Sequence, residues 1–293
     1  MEQPGDPSAQ PAASLLDLLH PEALDRDLFR GANPDTWPGG RVFGGLVAAQ
    51  SLRAAIDTVE TDHAIHSFHS YFVRAGRTGQ PIIYSVERIR DGRSFTTRRV
   101  TAVQDGEAIF TMDASFHRWE EGDADYQLAL PPGTPGPEDE TARVAGVFGA
   151  MAERPSLFLP FEMHELGPTE PEPDGSYRST RRVWMRCSAE LPEDPAVHAC
   201  ALTFASDMAV VLAARPPVPS PSWEGFMGAS LDHAVWFHRP VRMDEWLFYD
   251  LHAVSNNNSR GLARGLFHDR DGRLVASMAQ EALIRTVAPP PAG

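Results

Sequence analysis

The chain repeats itself at one fixed spacing. Tyr71-Phe72-Val73-Arg74 with Ser94 recurs as Trp236-Phe237-His238-Arg239 with Ser259, both landmarks 165 residues apart. Asp105-Gly106 recurs as Asp271-Gly272 and Met112 as Met278, both 166 apart after one inserted residue. A near-constant offset over four landmarks requires that whatever one half folds into, the other folds into as well. At 293 residues the chain has room for two domains of ordinary size.

Each half has the same grammar, an apolar helix and then a run of strands. Gly44 to Val59 (GGLVAAQSLRAAIDTV) opens with two glycines and is apolar nearly all round. Such a helix has no face for water and must be covered on most sides. In the second half Asp207 to Ala214 (DMAVVLAA) is equally apolar, with Ser206 or Asp207 expected as its N-cap. His66 to Arg74, Ile82 to Arg90, Ser94 to Gln104 and Ala108 to His117 are rich in β-branched and aromatic residues and predict strands, as do Gly261 to His268 and Leu274 to Arg285. Asp91-Gly92, Asp105-Gly106 and Asp271-Gly272 between them predict two-residue hairpin turns in which Gly supplies a positive φ. Strands joined by tight hairpins form an antiparallel sheet, and such a sheet curled around one buried helix is the hotdog architecture. The expected fold is therefore α+β: a double hotdog, two antiparallel sheets each wrapped around a buried central helix. The expected boundaries are a flexible tail over 1–20, an N-terminal hotdog over 21–118, a Pro-rich linker over 119–154 and a C-terminal hotdog over 155–287. A Pro-rich loop at Arg215–Ser222 interrupts the last of these.

Charge narrows the function. The net charge of −14 argues against nucleic acid or an anionic membrane surface as partner, so any anionic ligand must meet a local basic patch. All 26 residues counted as Lys or Arg are Arg. The two cysteines, Cys187 and Cys200, exclude a disulfide-dense scaffold and a Cys-cluster zinc site. The longest apolar run, Met208 to Ala214, is far short of the roughly 18 residues that span a bilayer. The N-terminus has no secretory pattern and the C-terminus (VAPPPAG) no peroxisomal address, so a bacterial cytoplasmic protein is expected. Exposed sheet edges and faces make a homo-oligomer the expected assembly.

Five segments carry a resemblance: Arg41-Val42-Phe43-Gly44-Gly45; His66-Ser67-Phe68-His69-Ser70-Tyr71-Phe72; Arg90-Asp91-Gly92-Arg93-Ser94-Phe95; Leu231-Asp232-His233 with Trp236-Phe237-His238-Arg239; and Leu274-Val275-Ala276-Ser277 with Gln280-Glu281. In this order they resemble the type II acyl-CoA thioesterases, bacterial thioesterase II and its peroxisomal relatives. The resemblance covers about Leu28 to Arg285. It implies a double hotdog that hydrolyses fatty acyl-CoA to free acid and CoA. It also implies a catalytic Asp at the start of the second buried helix in an Ala-Ser-Asp context, here Asp207, and a Gln before a Glu in the last strand, here Gln280. The family's third member is a Thr two positions before the Asp-His pair; here that position is Ser230, a departure that keeps the hydroxyl.

Those residue types suit thioester hydrolysis. Asp207 can take a proton from water or orient it, and Ser230 and Gln280 can hold the same water; a covalent acyl-Asp207 route uses the same carboxylate. No cofactor is required and no metal is expected, because thiolate is a good leaving group. For the oxyanion, Gly44-Gly45 opens a helix without side chains in the way, and the amide of Gly45 or a neighbour is the expected donor. Asp207 and the two glycines belong to different halves, so one site per chain, between the halves, is expected. His69 is the histidine expected nearest the substrate; His66, three residues away on a strand, points to the opposite face, which is poor geometry for one metal. For the CoA phosphates the expected cations are Arg93, Arg98, Arg260 and Arg264. Two other functions compete. A hotdog enoyl-CoA hydratase would use an Asp-x-Asn-x-x-His loop, which the sequence lacks. A non-catalytic acyl-CoA binding protein would bind without thiol release. No Gly-x-Ser-x-Gly elbow supports a Ser-His-Asp hydrolase.

Overall fold

The computed structural model describes residues 14–35, 40–144, 161–167, 180–215 and 225–286. The expected tail is thus described only from Ser14, the expected linker only to Val144 and the expected Arg215–Ser222 loop only at Arg215; their remainders lie outside the described residues.

The first half forms β1 (Glu22–Asp25), β2 (Leu28–Gly31), β3 (His63–Phe72), β4 (Ile82–Asp91), β5 (Phe95–Gln104) and β6 (Glu107–Arg118). The second forms β7 (Phe161–Glu165), β8 (Thr180–Cys187), β9 (Phe226–Ser230), β10 (Asp232–Phe237), β11 (Leu247–Asn257), β12 (Arg260–His268) and β13 (Leu274–Thr286). Helix α1 (Leu15–Leu19) precedes β1, and α2 (Gly44–Ile56) sits in the first half. Helices α3 (Pro195–Ser206) and α4 (Val210–Ala213) sit in the second. Strands alternate buried and exposed residues along β5 and β6, the mark of a sheet with one face on a core.

The two expected sheets are fused into one of 13 strands, ordered β1-β2-β4-β5-β6-β3-β10-β13-β12-β11-β8-β7, with β9 on β13. The seam is the antiparallel pair β3–β10. There Tyr71 lies opposite Asp232, His69 opposite Ala234 and Ser67 opposite Trp236. Adding 165 to the first-half member of a pair gives the partner of the pair mirrored across the centre, and for His69 its own partner Ala234, so the join has a local two-fold axis through that pair. The repeat is equally plain in hydrogen bonds. Val73 and Arg74 both donate their N–H to the Ile109 carbonyl, and His238 and Arg239 both donate to that of Val275. Arg74 Nη1 donates to the Ala108 carbonyl at 2.8 Å and Arg239 Nη1 to that of Leu274 at 2.7 Å.

The two core helices run antiparallel. Helix α3 starts with Asp194 accepting the Ala196 N–H at 2.9 Å and Pro195 in the first turn, where its missing N–H does no harm. Every residue from Val197 to Ser206 is buried. At one end Arg53 of α2 pairs with Asp57 at 2.9 Å and with Asp194 at 3.2 Å, tying the end of α2 to the start of α3. At the other end the Phe43 and Phe204 rings meet edge to face, 5.0 Å apart. The expected helix at Asp207–Ala214 is corrected here. Asp207 is the C-cap of α3, not the N-cap of a helix, and Ala209 at φ 59° breaks the chain before the short α4.

Two of the three expected turns differ as well. Asp105-Gly106 is a two-residue turn with φ of 50° and 79°, the I′ signature. At Asp91-Gly92, however, Asp91 ends β4 and Gly92 is not in the positive-φ region. Gly272 does have φ 77°, but it sits in a five-residue loop between β12 and β13. The tight turn of the second half is Asn258-Ser259, at φ 48° and 57°.

The Pro-rich stretch after β6 is docked on the second half. Gln127 donates to the Gly272 carbonyl at 2.7 Å and accepts the Leu274 N–H at 3.1 Å, and Trp184 Nε1 donates to the Pro135 carbonyl at 2.8 Å. Beneath it Leu166, Trp184 and Phe248 form a small apolar cluster with Leu130 packed on it. Burying those rings gives this polar segment a reason to stay down. Cys187 and Cys200 are both buried free thiols.

Candidate active site

The antiparallel helix pair puts the end of α3 against the beginning of α2. Gly45 allows the contact: a Cβ there would lie 2.4 Å from the Phe204 carbonyl oxygen. A Cβ on Gly44 would lie 2.7 Å from Asp207 Oδ2. The Asp207 carboxylate is therefore seated on the N-terminal turn of α2, where free N–H groups and the positive end of the helix dipole lie. The Gly45 N–H donates to it. Asp207 is only 8% exposed. Burial pushes its carboxyl up to about 7, against the opposing pull of the Gln280 amide and the Gly45 N–H.

Gln280 on β13 is fully buried. Its Nε2 donates to Ser230 Oγ at 2.8 Å, and its amide also bonds Asp207. The three residues that the resemblance implied are thus brought together, but not as three equal walls. Asp207 and Ser230 line a cavity of about 540 Å³, while Gln280 stands behind them and bridges the two. The cavity is walled by both halves, with Phe72 and Ile109 from the first and Val210 and Leu231 from the second.

A further layer, whose place behind Gln280 the sequence does not show, is built from the Asp232-His233 pair of the fourth motif. His233 is fully buried, and its ring lies against the Gln280 side chain. Its Nε2 is 2.9 Å from Ser206 Oγ, whose hydroxyl donates to the Thr203 carbonyl at 2.9 Å. Burial pushes the His233 ring down to about 4, so it is neutral at pH 7. Asp232, beside it, accepts the Glu281 N–H at 2.6 Å and so fixes the strand that carries Gln280. Asp207 Oδ1 is buried without a hydrogen-bond partner among the described residues. A buried acceptor left open in this way calls for an explanation, and a catalytic role is one.

The other expected residues lie elsewhere. Gly45 spends its amide on Asp207, which leaves Gly44 as the member of the pair that lines the cavity. His69 is exposed at the seam, its ring 5.2 Å from that of Trp236, and does not line the cavity. Arg98 is 1% exposed and fully engaged, donating to Thr58 Oγ1 at 2.8 Å, to the Thr58 carbonyl at 3.0 Å and to Asp91. It locks the β4–β5 hairpin to the end of α2 and has nothing left to offer a phosphate. Arg93 is exposed on that hairpin, Arg260 pairs with Glu281 at 2.9 Å, and Arg264 is exposed on β12; none lines the cavity. The cations that do are Arg41 and Arg74. Both stand inside segments already conspicuous in the sequence, Arg41 before Val-Phe-Gly-Gly and Arg74 in the repeated landmark. What the sequence withheld was which arginines face this opening.

Two family models match the chain, the acyl-CoA thioesterase N-terminal domain over residues 33–117 and the C-terminal domain over 129–284. The chain belongs to the acyl-CoA thioesterase family. Among its relatives, acyl-coenzyme A thioesterase 8 of Mus musculus is 36% identical, with 92% of this chain and 88% of that protein covered. Acyl-CoA thioesterase 2 of Haemophilus influenzae is 35% identical over 93% of this chain and 97% of its own length. The crystal structure of an acyl-CoA thioesterase II from Mycobacterium marinum is 37% identical and superimposes with a TM-score of 0.79, covering 94% of this chain and 99% of that one. The expected hotdog fold is shown by a solved structure described as having it, from Alicyclobacillus acidocaldarius, which is 21% identical and superimposes with a TM-score of 0.74, covering 94% of this chain and 98% of that one. No described helix is long and apolar enough to cross a membrane.

Proposed function

We propose that the chain hydrolyses acyl-CoA thioesters, with Asp207 activating a water at the cavity wall it shares with Ser230. One observation carries this reading: a buried carboxylate and a hydroxyl face one cavity and are bridged from behind by a single amide. The Gln280 amide holds Ser230 Oγ as an acceptor, so the serine proton points away from Gln280 and can be donated to the reacting oxygen. Asp207 Oδ1 has no donor among the described residues and is the acceptor that water can use. Water loses a proton to Asp207 as it attacks the thioester carbonyl. The tetrahedral oxyanion then collapses, the C–S bond breaks, and CoA leaves as a thiolate that takes up the proton. The step needs no cofactor. Gln280 positions both partners, and His233 positions Gln280.

Two outcomes follow for release of free CoA thiol from acyl-CoA. First, kcat/KM rises with pH through an apparent pKa near 7 and levels off above it, because only ionised Asp207 accepts the proton; a profile flat from pH 5 to 9 would exclude Asp207 as base. Second, Ser230→Ala lowers kcat about a hundredfold with little change in KM, the usual effect of removing one aimed donor. A Ser230→Ala enzyme with wild-type kcat would take the hydroxyl out of the mechanism. The division into two hotdog domains at the expected boundaries, the homo-oligomeric state and the cytoplasmic location remain parts of this proposal.

A further inference from the structure

The cavity has a buried end and an open end. Asp207 lies at the buried one. At the other, Arg41, Val73, Arg74 and Ala75 are exposed lining residues. Arg41 is held there by backbone: it bridges to Arg77, and the next residue, Val42, donates its N–H to the Gly76 carbonyl at 3.0 Å. That pairing pins the segment leading into α2 against the segment leaving β3, so the Arg41 backbone is fixed at the rim of the opening. The three guanidiniums here are not equivalent. Arg74 is committed, its Nη1 to the Ala108 carbonyl at 2.8 Å and its Nε to Glu107 at 3.0 Å, and Arg77 faces Asp105 at 3.0 Å. Arg41 has no ion-pair partner among the described residues, and it lines the cavity.

We propose that Arg41 forms the phosphate-binding mouth of the site and grips the phosphates of CoA while the pantetheine arm reaches toward Asp207. The inference rests on the acyl-CoA reading above. It also answers the problem posed by the charge of −14. The field of the whole chain repels CoA, so binding depends on a few local cations at the entrance, and a guanidinium can present two donors to one phosphate.

The test separates the handle from the chemistry. Binding of CoA itself is measured by calorimetry, and thiol release is measured with matched acyl-CoA and acyl-pantetheine, which lacks the phosphates. Arg41→Ala is expected to weaken CoA binding about tenfold, the scale of one charged hydrogen bond, and Arg41→Glu to weaken it further. The kcat/KM for acyl-CoA falls in step, so its advantage over acyl-pantetheine shrinks in Arg41→Ala and vanishes in Arg41→Glu, while kcat for acyl-CoA stays near wild type. Raising the salt concentration erodes that advantage in the wild type and less so in the variants. Unchanged CoA affinity in both variants, or equal losses on both substrates, would overturn the assignment. Absence of thiol release from either substrate by the wild type would instead sink the hydrolase reading, and the calorimetric arm would still decide whether Arg41 binds CoA.

Discussion

Replacing Asp207 with Asn is expected to lower kcat about a thousandfold, within the range for loss of a general base, and at the same time to make the protein more stable at pH 8. Both effects come from one cause. The carboxyl is buried and titrates near 7 rather than at its ordinary 3.8. Below pH 3.8 folded and unfolded chains both carry the proton, and the group is neutral toward stability. As the pH rises from there, the unfolded chain ionises first, so folding loses free energy. The loss levels off once the pH passes 7, at about 4 kcal/mol for a shift of this size. Asn keeps the shape and removes the charge. The gain in melting temperature over wild type should therefore be present at pH 8, smaller at pH 5.5 and absent near pH 3.5. Scanning calorimetry of the two proteins at these values, beside thiol-release rates, checks it. A variant that loses activity without gaining stability at pH 8 would mean that Asp207 is not a desolvated acid. The site is in this sense a weak point of the fold, as sites built for chemistry often are.

Gly45→Ala is the second large effect, and it acts on the fold. A Cβ there would lie 2.4 Å from the Phe204 carbonyl oxygen and 2.5 Å from the Phe43 ring. The carbonyl belongs to the last turn of α3 and cannot rotate away as a side chain could. The helix ends must part, at a cost of about 3 kcal/mol, the upper part of the usual range for overpacking. Parting them withdraws the Gly45 N–H from Asp207, so thiol release is lost together with stability. Gly106→Ala is the informative contrast. A Cβ at Gly106 meets nothing within 4 Å, so only its φ of 79° is strained. The urea midpoint of Gly45→Ala should fall well below those of wild type and Gly106→Ala. A midpoint equal to wild type would show that the helix ends are not in contact.

The repeat, the strands and α2 were legible because each depends on local pattern. A hydrophobic run, a tight turn and a shared offset survive in one dimension. The misplaced helix shows where that legibility stops. Ser206-Asp207 before an apolar run has the form of an N-cap, and so does Asp194-Pro195-Ala196. The second is the real start, because Pro at the first turn cannot sit further inside, while the left-handed Ala209 breaks the run after Asp207. Nothing in the residue types around 207 announces that backbone. The arginines failed for a different reason. Arg98 and Arg41 look alike in sequence, but one lies among carbonyls beneath a hairpin and the other at an opening, a difference that exists only once β3 and the segment before α2 are side by side. His233 stands in a motif visible in the sequence, but its place behind Gln280 could be found only from the packing.

The two-fold axis at the seam means that the molecule has a second end built to the same plan. Just as α3 ends in Asp207 against the start of α2, α2 ends in Asp57 against the start of α3. There, however, Arg53 clamps Asp57 at 2.9 Å, and the position matching Gln280 is Ala114. The carboxylate at one pole has no cation beside it among the described residues, while its counterpart at the other is paired with Arg53. Fusing two copies into one polypeptide lets the poles diverge: on the reading proposed above one keeps a charge unbalanced for reactivity, while its twin is a rivet that holds the helices together.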